Sequence, residues 1–253
     1  ALRSVPAAMP VSASSQPPVV AITGASGALG SALLRRWHRR GAVLIALCHR
    51  DQPLHLLADD GSPLPLRQVR WQAGGEALLA PLLEEVDVLI LNHGVNVHGA
   101  RDGASVQASL EVNALSSWRL LELFARLAAG RDPEAEGRPR PEVWLNTSEA
   151  EIQPAVSPLY EISKRLIGQL LSLRALDLAA AVRLRRLVLG PFRSELNPIG
   201  LMSADWVASQ VLLQAVDWDL GLVIVTPNPI TYVAMPLTCL GRWLYYRLTS
   251  RPG

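Results

Sequence analysis

The sequence predicts a doubly wound α/β fold, in which a seven-stranded parallel sheet carries helices on both faces. Strand patterns and helix patterns alternate along the whole chain, which is typical of this class. Residues 42–48 form an unbroken apolar strand, and such a run favours a parallel sheet that is covered on both faces. A glycine-rich turn, Thr23 to Gly30, joins the first strand to the first helix.

The elements follow one another in a regular order. The strands are predicted at residues 19–22, 42–48, 69–72, 87–92, 143–146, 183–189 and 222–225, and the helices at 31–37, 76–85, 106–129, 157–180, 203–217 and 233–249. Ser157, which precedes Pro158, and Ser203 are the expected N-caps of their helices. Residues 51–66 and the charged, Pro-rich residues 130–141 are expected to be surface loops. The crossovers between parallel strands should be right-handed.

Composition limits the class of protein. The chain has 253 residues, 49% of them apolar, so it is expected to be globular, with a disordered leader at 1–17 and a single domain at 18–253. The net charge of +2 and the scattered arginines predict no nucleic-acid partner. Cys48 and Cys239 lack the spacing of a metal site or a disulfide framework, which favours a reducing compartment such as the cytoplasm. The sequence contains no continuous apolar stretch of about 18 residues, so no transmembrane helix is predicted.

The glycine turn is a candidate dinucleotide site. A turn with glycines three residues apart, between a strand and a helix, allows a pyrophosphate to approach the backbone closely. The N-terminus of the helix then offers free N–H groups and a partial positive charge to the phosphates. The residues of this turn predicted to bind the cofactor are Gly24, Ser26, Gly27, Ala28, Leu29 and Gly30.

The end of the second strand should decide between the two nicotinamide dinucleotides. The residues after this strand meet the adenosine ribose, where a carboxylate favours NAD and an arginine accommodates the 2′-phosphate of NADP. His49 and Arg50 come first, so NADP(H) is predicted. If the strand runs one or two residues longer, Asp51 takes the ribose and NAD is preferred.

Tyr160 and Lys164 form a candidate acid/base pair. Residues four positions apart share one face of a helix, so both side chains can address one ligand. A phenol that acts near neutral pH needs a pKa about 3 below its ordinary value of about 10, and a fixed ammonium beside it favours that change. Lys164 is the only lysine in the chain. The alternative is a solvated Tyr and Lys on a helix surface.

The order of these motifs resembles that of the short-chain dehydrogenase/reductase superfamily. The resemblance covers about residues 19–226. It rests on the three glycines, Asn92-His93-Gly94 after the fourth strand, Asn113 in the long helix, Ser148 after the fifth strand and Tyr160-x-x-x-Lys164. It implies a Rossmann fold, a nicotinamide cofactor and a small-molecule carbonyl or alcohol substrate.

The resemblance also implies roles for single residues. Tyr160 would be the acid/base, and Lys164 would hold the nicotinamide ribose and lower the pKa of Tyr160. Ser148 would hydrogen-bond the substrate oxygen, and Asn113 would support a proton relay. The turn Asn92, His93, Gly94 and the turn Gly190-Pro191 after the sixth strand would lie against the cofactor.

Several positions depart from the pattern of the superfamily. The glycine spacing is that of the extended branch, whereas the short chain is typical of the commoner branch. Thr147 is an alternative to Ser148 as the functional hydroxyl, because the spacing to Tyr160 is about one residue short. Gln72 stands where an acidic residue often follows the third strand. Glu149 and Glu151 flank the serine and are expected to face water, the alternative being contact with a substrate. His93 and His98 have no third ligand nearby, so no metal site is predicted.

The sequence therefore predicts an NAD(P)-dependent oxidoreductase that transfers a hydride between nicotinamide and a carbonyl or alcohol. The alternatives are a nucleotide-sugar epimerase or dehydratase, for which the C-terminal region leaves little room, and a cofactor-binding sensor without turnover. Helices 106–129 and 157–180 should lie side by side, and the resemblance implies that this face pairs with a second subunit, giving a homodimer or homotetramer. The segment 232–251 is expected to cap the substrate pocket, and contact with a membrane surface is the alternative.

Overall fold

The sheet of the computed structural model, which describes residues 16–132 and 136–251, has seven parallel strands in the order β3-β2-β1-β4-β5-β6-β7. The strands are β1 Val19–Thr23, β2 Val43–Cys48, β3 Arg67–Arg70, β4 Val88–Leu91, β5 Glu142–Ser148, β6 Arg183–Leu189 and β7 Leu222–Val225. This order confirms the predicted Rossmann fold. The strand order runs from β1 through β2 to β3 on one side of β1 and from β4 to β7 on the other, so the order reverses between β1 and β4. At such a switch point a crevice opens at the carboxyl ends of the strands.

The helices are α1 Ala28–Arg39, α2 Ala80–Leu83, α3 Gly103–Leu110, α4 Ser116–Ala128, α5 Pro158–Leu178, α6 Ala204–Leu212 and α7 Pro229–Thr249. A 3-10 turn, Glu76–Leu79, leads into α2, and another, Glu149–Glu151, follows β5. Helix α3 continues into α4 through a π-helical turn, Glu111–Leu115, and a second π turn, Leu213–Asp217, extends α6. The predicted helices at 106–129 and 203–217 therefore exist, each with a π turn inside.

Two apolar layers enclose the sheet because successive residues of each strand point to opposite faces. One layer joins Val20 and Ile22 of β1 to α1 and α6. The other joins Ala21 of β1 to α2, α4 and α5. Helix α7 packs beside α5 over the far end of this second face, where Met235 contacts Val188 and Ile224.

Several predicted boundaries and caps are wrong. Strand β3 lies two residues earlier than predicted, and α1 begins at Ala28, inside the glycine turn rather than after it. Ser157 precedes α5 but makes no side-chain cap, because its hydroxyl donates instead to the carbonyl of His98 at 2.7 Å. Ser203 is confirmed as an N-cap, and accepts from the backbone N–H of Trp206. The predicted leader falls mostly on residues 1–15, outside the described residues.

Candidate active site

The glycine turn has a backbone that fits a pyrophosphate. Gly24 has a φ of +63°, which side-chain-bearing residues rarely adopt, and a Cβ there would lie 2.9 Å from His93 Cα. A Cβ on Gly30 would lie 2.3 Å from the Gly24 carbonyl oxygen, so only glycine lets α1 pack this closely. The N-terminus of α1 has no side-chain cap at Gly27 and no acidic residue in its first turn. Its N–H groups are therefore free for an anion, as a dinucleotide requires.

The end of β2 lies where the sequence places it. The strand ends at Cys48, and His49 and Arg50 are exposed directly after it. Asp51 forms an ion pair with Arg70 at 2.7 Å, so its carboxylate is already neutralised by a guanidinium. Arg70 ends β3, and its pairing with Asp51 was missed because a contact between distant residues leaves no local signal in the sequence.

The polar turn after β4 is tied to β1 by a buried hydroxyl. Thr23 Oγ1 accepts from the backbone N–H of Asn92 at 2.9 Å and lies 2.8 Å from His93 Nδ1. The other ring nitrogen of His93 lies 3.1 Å from Ser116 Oγ. Burial, with a smaller effect from the charge of Lys164, lowers the pKa of His93 to about 3, so the ring is neutral. The imidazole therefore ties the turn after β4 to Thr23 of β1 and to Ser116 of α4.

Asn113 lies in the π turn between α3 and α4 and is 1% exposed. Its amide oxygen accepts from the N–H of Val95 at 2.7 Å, and its amide nitrogen donates to the Val95 carbonyl at 2.9 Å. The same nitrogen donates to Ser163 at 3.0 Å on α5, the helix of the candidate acid/base. Asn113 therefore positions the loop after β4 against α5, and π turns of this kind are frequent at functional sites.

Ser148, Tyr160 and Lys164 come together at the carboxyl end of β5. Ser148 ends the strand and hydrogen-bonds with Tyr160, which lies in the first turn of α5. Lys164 lies one turn further, with Nζ 5.5 Å from the centroid of the Tyr160 ring and donating to the carbonyl of Asn146 at 3.0 Å. Thr147 points to the other face and donates to the Leu187 carbonyl at 3.1 Å. The geometry therefore favours Ser148 over Thr147 as the hydroxyl beside Tyr160.

The pKa shifts of Tyr160 and Lys164 differ from what the sequence led us to expect. Burial raises the pKa of Tyr160 above its ordinary value, the hydrogen bond with Ser148 acts in the opposite direction, and the charge of Glu149 raises it further. Burial lowers the pKa of Lys164 to about 8. The expected fall in the pKa of Tyr160 is therefore not supplied by the protein alone, because Lys164 is itself desolvated and its ammonium donates to a backbone carbonyl.

The acidic residues after Ser148 do not face water as expected. Glu149 is half-buried, and its carboxylate accepts from Thr226 Oγ1 at 2.6 Å. Glu151 is 1% exposed and accepts from Arg186 and Arg242, each at 2.7 Å. Glu149 thus belongs to the site beside Tyr160, whereas Glu151 is a buried structural charge.

The turn after β6 closes the site from the side of β7. A Cβ on Gly190 would lie 2.4 Å from Thr226 Oγ1, so the backbone of Gly190-Pro191 approaches the Glu149 cluster closely. No group of His, Cys, Asp and Glu side chains within residues 16–132 and 136–251 has the arrangement of a metal site. Among these same residues, no helix is long and apolar enough to cross a membrane.

The chain is similar to one family model and to a curated relative. Residues 20–133 match the NAD dependent epimerase/dehydratase family. The chain is 46% identical over 233 residues to a monoglucosyldiacylglycerol epimerase of Synechocystis sp.. The alignment covers 92% of this chain and 55% of that protein, so the chain spans about half the length of its curated relative.

Comparison with solved structures supports the same fold. A short-chain dehydrogenase from Sphingobium yanoikuyae in complex with NADPH superposes with a TM-score of 0.72 at 19% identity, covering 92% of this chain and 96% of that one. A short-chain dehydrogenase from Burkholderia cenocepacia in complex with NADP gives 0.70 at 19% identity, covering 93% and 99%. At such identities the likeness shows the fold alone.

Proposed function

We propose that this chain, which has a Rossmann-like α/β fold, is an NAD(P)-dependent epimerase acting on the sugar headgroup of a glycolipid. The observation that supports this most strongly is the 46% identity to a monoglucosyldiacylglycerol epimerase along 92% of the chain. That alignment is long enough to include nearly all of the residues that build the site. The proposal therefore replaces hydride exchange with a free carbonyl substrate, the activity that the motifs alone favoured.

The residues present fit a nicotinamide dinucleotide. The backbone of Gly24, Gly27 and Gly30 and the uncapped N-terminus of α1 would hold the pyrophosphate. Arg50 would bind a 2′-phosphate, and Arg70 leaves Asp51 less able to repel one, so NADP(H) is the cofactor we favour. When bound, the dinucleotide supplies the hydride acceptor and donor for a carbinol carbon.

The chain's own residues would then handle the proton and the oxygen. Tyr160 would take the proton of the reacting sugar hydroxyl and return it when the carbon regains its hydrogen on the other face. Ser148 would donate a hydrogen bond to the same oxygen, and Lys164 would keep Tyr160 in place. Epimerisation consumes no net proton and no net electrons, so Tyr160 ends each cycle as it began.

Glu149 would recognise the sugar. Its carboxylate lies near Tyr160 and is held by Thr226 and Thr231, at 2.6 and 3.3 Å from the same oxygen, Oε2. A half-buried carboxylate with accepting capacity left suits a neighbouring sugar hydroxyl. The charge of Glu149 would thus orient the headgroup while Tyr160 and Ser148 act on the reacting carbon.

A lipid substrate removes the objection that the sequence raised against an epimerase. That objection concerned space for a nucleotide in the region after β7, where the described residues hold one helix, α7. A glycosyl diacylglycerol carries no nucleotide, so its sugar needs only the space beside Ser148 and Tyr160. Its acyl chains would remain outside the protein.

Product analysis tests the proposal. Monoglucosyldiacylglycerol dispersed in detergent is incubated with the protein and either NADP+ or NAD+, and the headgroup is identified by NMR. We expect the epimeric sugar with the wild type and none with Tyr160→Phe. Absence of the epimer with both cofactors, from protein shown to bind a dinucleotide, would refute the proposed function.

A dehydrogenase or reductase is the second candidate. The Ser148, Tyr160 and Lys164 arrangement and the likeness to folds solved with NADPH support it. Net oxidation or reduction of the cofactor in proportion to product would identify this activity, because an epimerase leaves the cofactor unchanged overall.

A further inference from the structure

Helix α7 exposes a continuous apolar stripe. Its members recur every three or four residues, which is the spacing of one helix face, and each is 51–75% exposed. They are Ile230, Val233, Leu237, Leu240, Leu244 and Leu248. The stripe runs the length of a 21-residue helix, about 30 Å at the rise of an α-helix. Apolar surface of this extent marks an interaction site.

The opposite face of α7 is fixed to the domain, so the stripe cannot turn inward. Met235 is fully buried against β6 and β7. Arg242 donates to the buried Glu151 at 2.7 Å, and the Tyr246 hydroxyl donates to Gln169 of α5 at 2.7 Å. Because a buried ion pair and an apolar contact both hold the opposite face of α7 against the domain, the aliphatic stripe faces away from the protein.

The charge and aromatic pattern of α7 selects one kind of surface. Besides Arg242, which pairs with the buried Glu151, residues 229–251 contain two arginines, Arg247 and Arg251, and no Asp or Glu. Trp243 and Tyr245 flank the stripe, 43% and 61% exposed, and the guanidinium of Arg247 lies 5.1 Å from the Trp243 ring. Aromatic and cationic residues beside an apolar face are typical of helices that lie in the headgroup region of a bilayer. A second copy of α7 would bring arginine to arginine with no acidic partner.

The stripe begins beside the candidate active site. Helix α7 starts at Pro229, three residues after Thr226, and Thr231 in its first turn contacts Glu149. The loop after β6, at the same edge of the sheet, exposes Ile199 and Leu201. A surface bound along α7 therefore lies close to the opening that a headgroup would enter.

We propose that α7 docks this chain on an anionic lipid bilayer through its aliphatic stripe, with the flanking arginines and aromatic residues in the headgroup region. The choice of a lipid surface rests in part on the proposed glycolipid substrate. Docked in this way, the site receives a headgroup while the acyl chains stay in the bilayer.

Vesicle binding tests the inference without using catalysis. The wild type is sedimented with vesicles of phosphatidylcholine alone, or mixed with phosphatidylglycerol, at low and high salt. We expect binding to the anionic vesicles that weakens with salt, and a loss of about tenfold or more in the double variant Leu240→Glu/Leu244→Glu. The matched control is Leu78→Glu, an 85% exposed leucine in the 3-10 turn after β3, and it should bind like the wild type.

Two further readouts keep the result decisive. Thermal unfolding should be the same for the double variant and the control, because the substituted side chains face solvent. The inference would be overturned if the wild-type protein did not bind anionic vesicles, or if the double variant bound them as well as the wild type. It would also be overturned by light scattering in which the double substitution splits a dimer, because the stripe would then be covered by a second copy.

The experiments can refute the epimerase proposal and the bilayer-docking proposal independently of each other. Turnover of detergent-dispersed glycolipid tests the chemistry, and the double variant should retain it while losing turnover of glycolipid in vesicles. Absence of wild-type turnover in detergent would refute the epimerase and leave the vesicle-binding result standing.

Discussion

Replacing Lys164 with methionine should change how stability depends on pH. Lys164 is 5% exposed, and burial lowers the pKa of its amine to about 8 from an ordinary value of 10.5. Between these two values the unfolded chain holds a proton that the folded chain has released, so the free energy of unfolding rises with pH. A pKa that differs by one between the folded and unfolded chains is worth about 1.36 kcal/mol, so the wild type should gain about 3 kcal/mol relative to Lys164→Met between about pH 7 and pH 11.

Urea unfolding of both proteins at intervals across this range measures the effect. Subtracting the Lys164→Met curve removes the titration of the other groups, which the two proteins share. The difference should be nearly flat below pH 7 and rise steadily above pH 8. A difference that stays constant, or that falls as pH rises, would show that Lys164 keeps an ordinary or raised pKa and would refute the reasoning.

Three other predictions follow from the site and its surroundings. Ser148→Ala should lower turnover by about 10²-fold in steady-state assays, the scale of one lost oxyanion donor, whereas Thr147→Ala should be mild; the reverse order would exchange their roles. Arg50→Ala should weaken NADPH binding by about 1.5–3 kcal/mol in titrations and leave NADH unchanged; equal losses would contradict the 2′-phosphate contact. Glu151→Gln should lower the free energy of unfolding by about 3 kcal/mol or more, because two arginines lose a buried partner, while Asp59→Asn in an exposed ion pair should have a much smaller effect; similar costs would be inconsistent with a buried cluster.

The sequence predicted the fold because local patterns determine it. Apolar runs indicated most of the strands, and β7 has its predicted bounds because a buried parallel strand is apolar throughout. Strand β6 also has its predicted bounds, although it contains three arginines. Gly24 and Gly30 were recognisable because the backbone there excludes a side chain. Strand β3 was misplaced because it is short, lies at the edge of the sheet and alternates Arg and Gln with a single valine.

The site was predicted less completely, because its remaining features depend on contacts between distant segments. Glu151 lies far along the chain from Arg242, and nothing local distinguishes it from the exposed acid that it was expected to be. Ser157 lies at a position typical of an N-cap, but its hydroxyl donates a hydrogen bond to the carbonyl of His98, which is distant in sequence and brought close by the fold. Thr23 had a usable signal, since a polar residue ends an apolar strand directly before Gly24. The pKa of Tyr160 depends on burial, which spacing alone does not reveal.

The stoichiometry of cofactor and product tests the central claim most directly. Glycolipid deuterated at the carbon that is inverted is converted with less than one equivalent of NADP+, while NMR follows the headgroup and absorbance follows the reduced cofactor. If the protein is an epimerase, each cofactor should support many turnovers, deuterium should be retained at the inverted carbon, and NADPH should not accumulate. A keto sugar formed in proportion to NADPH, with no epimer, would contradict it and identify a dehydrogenase.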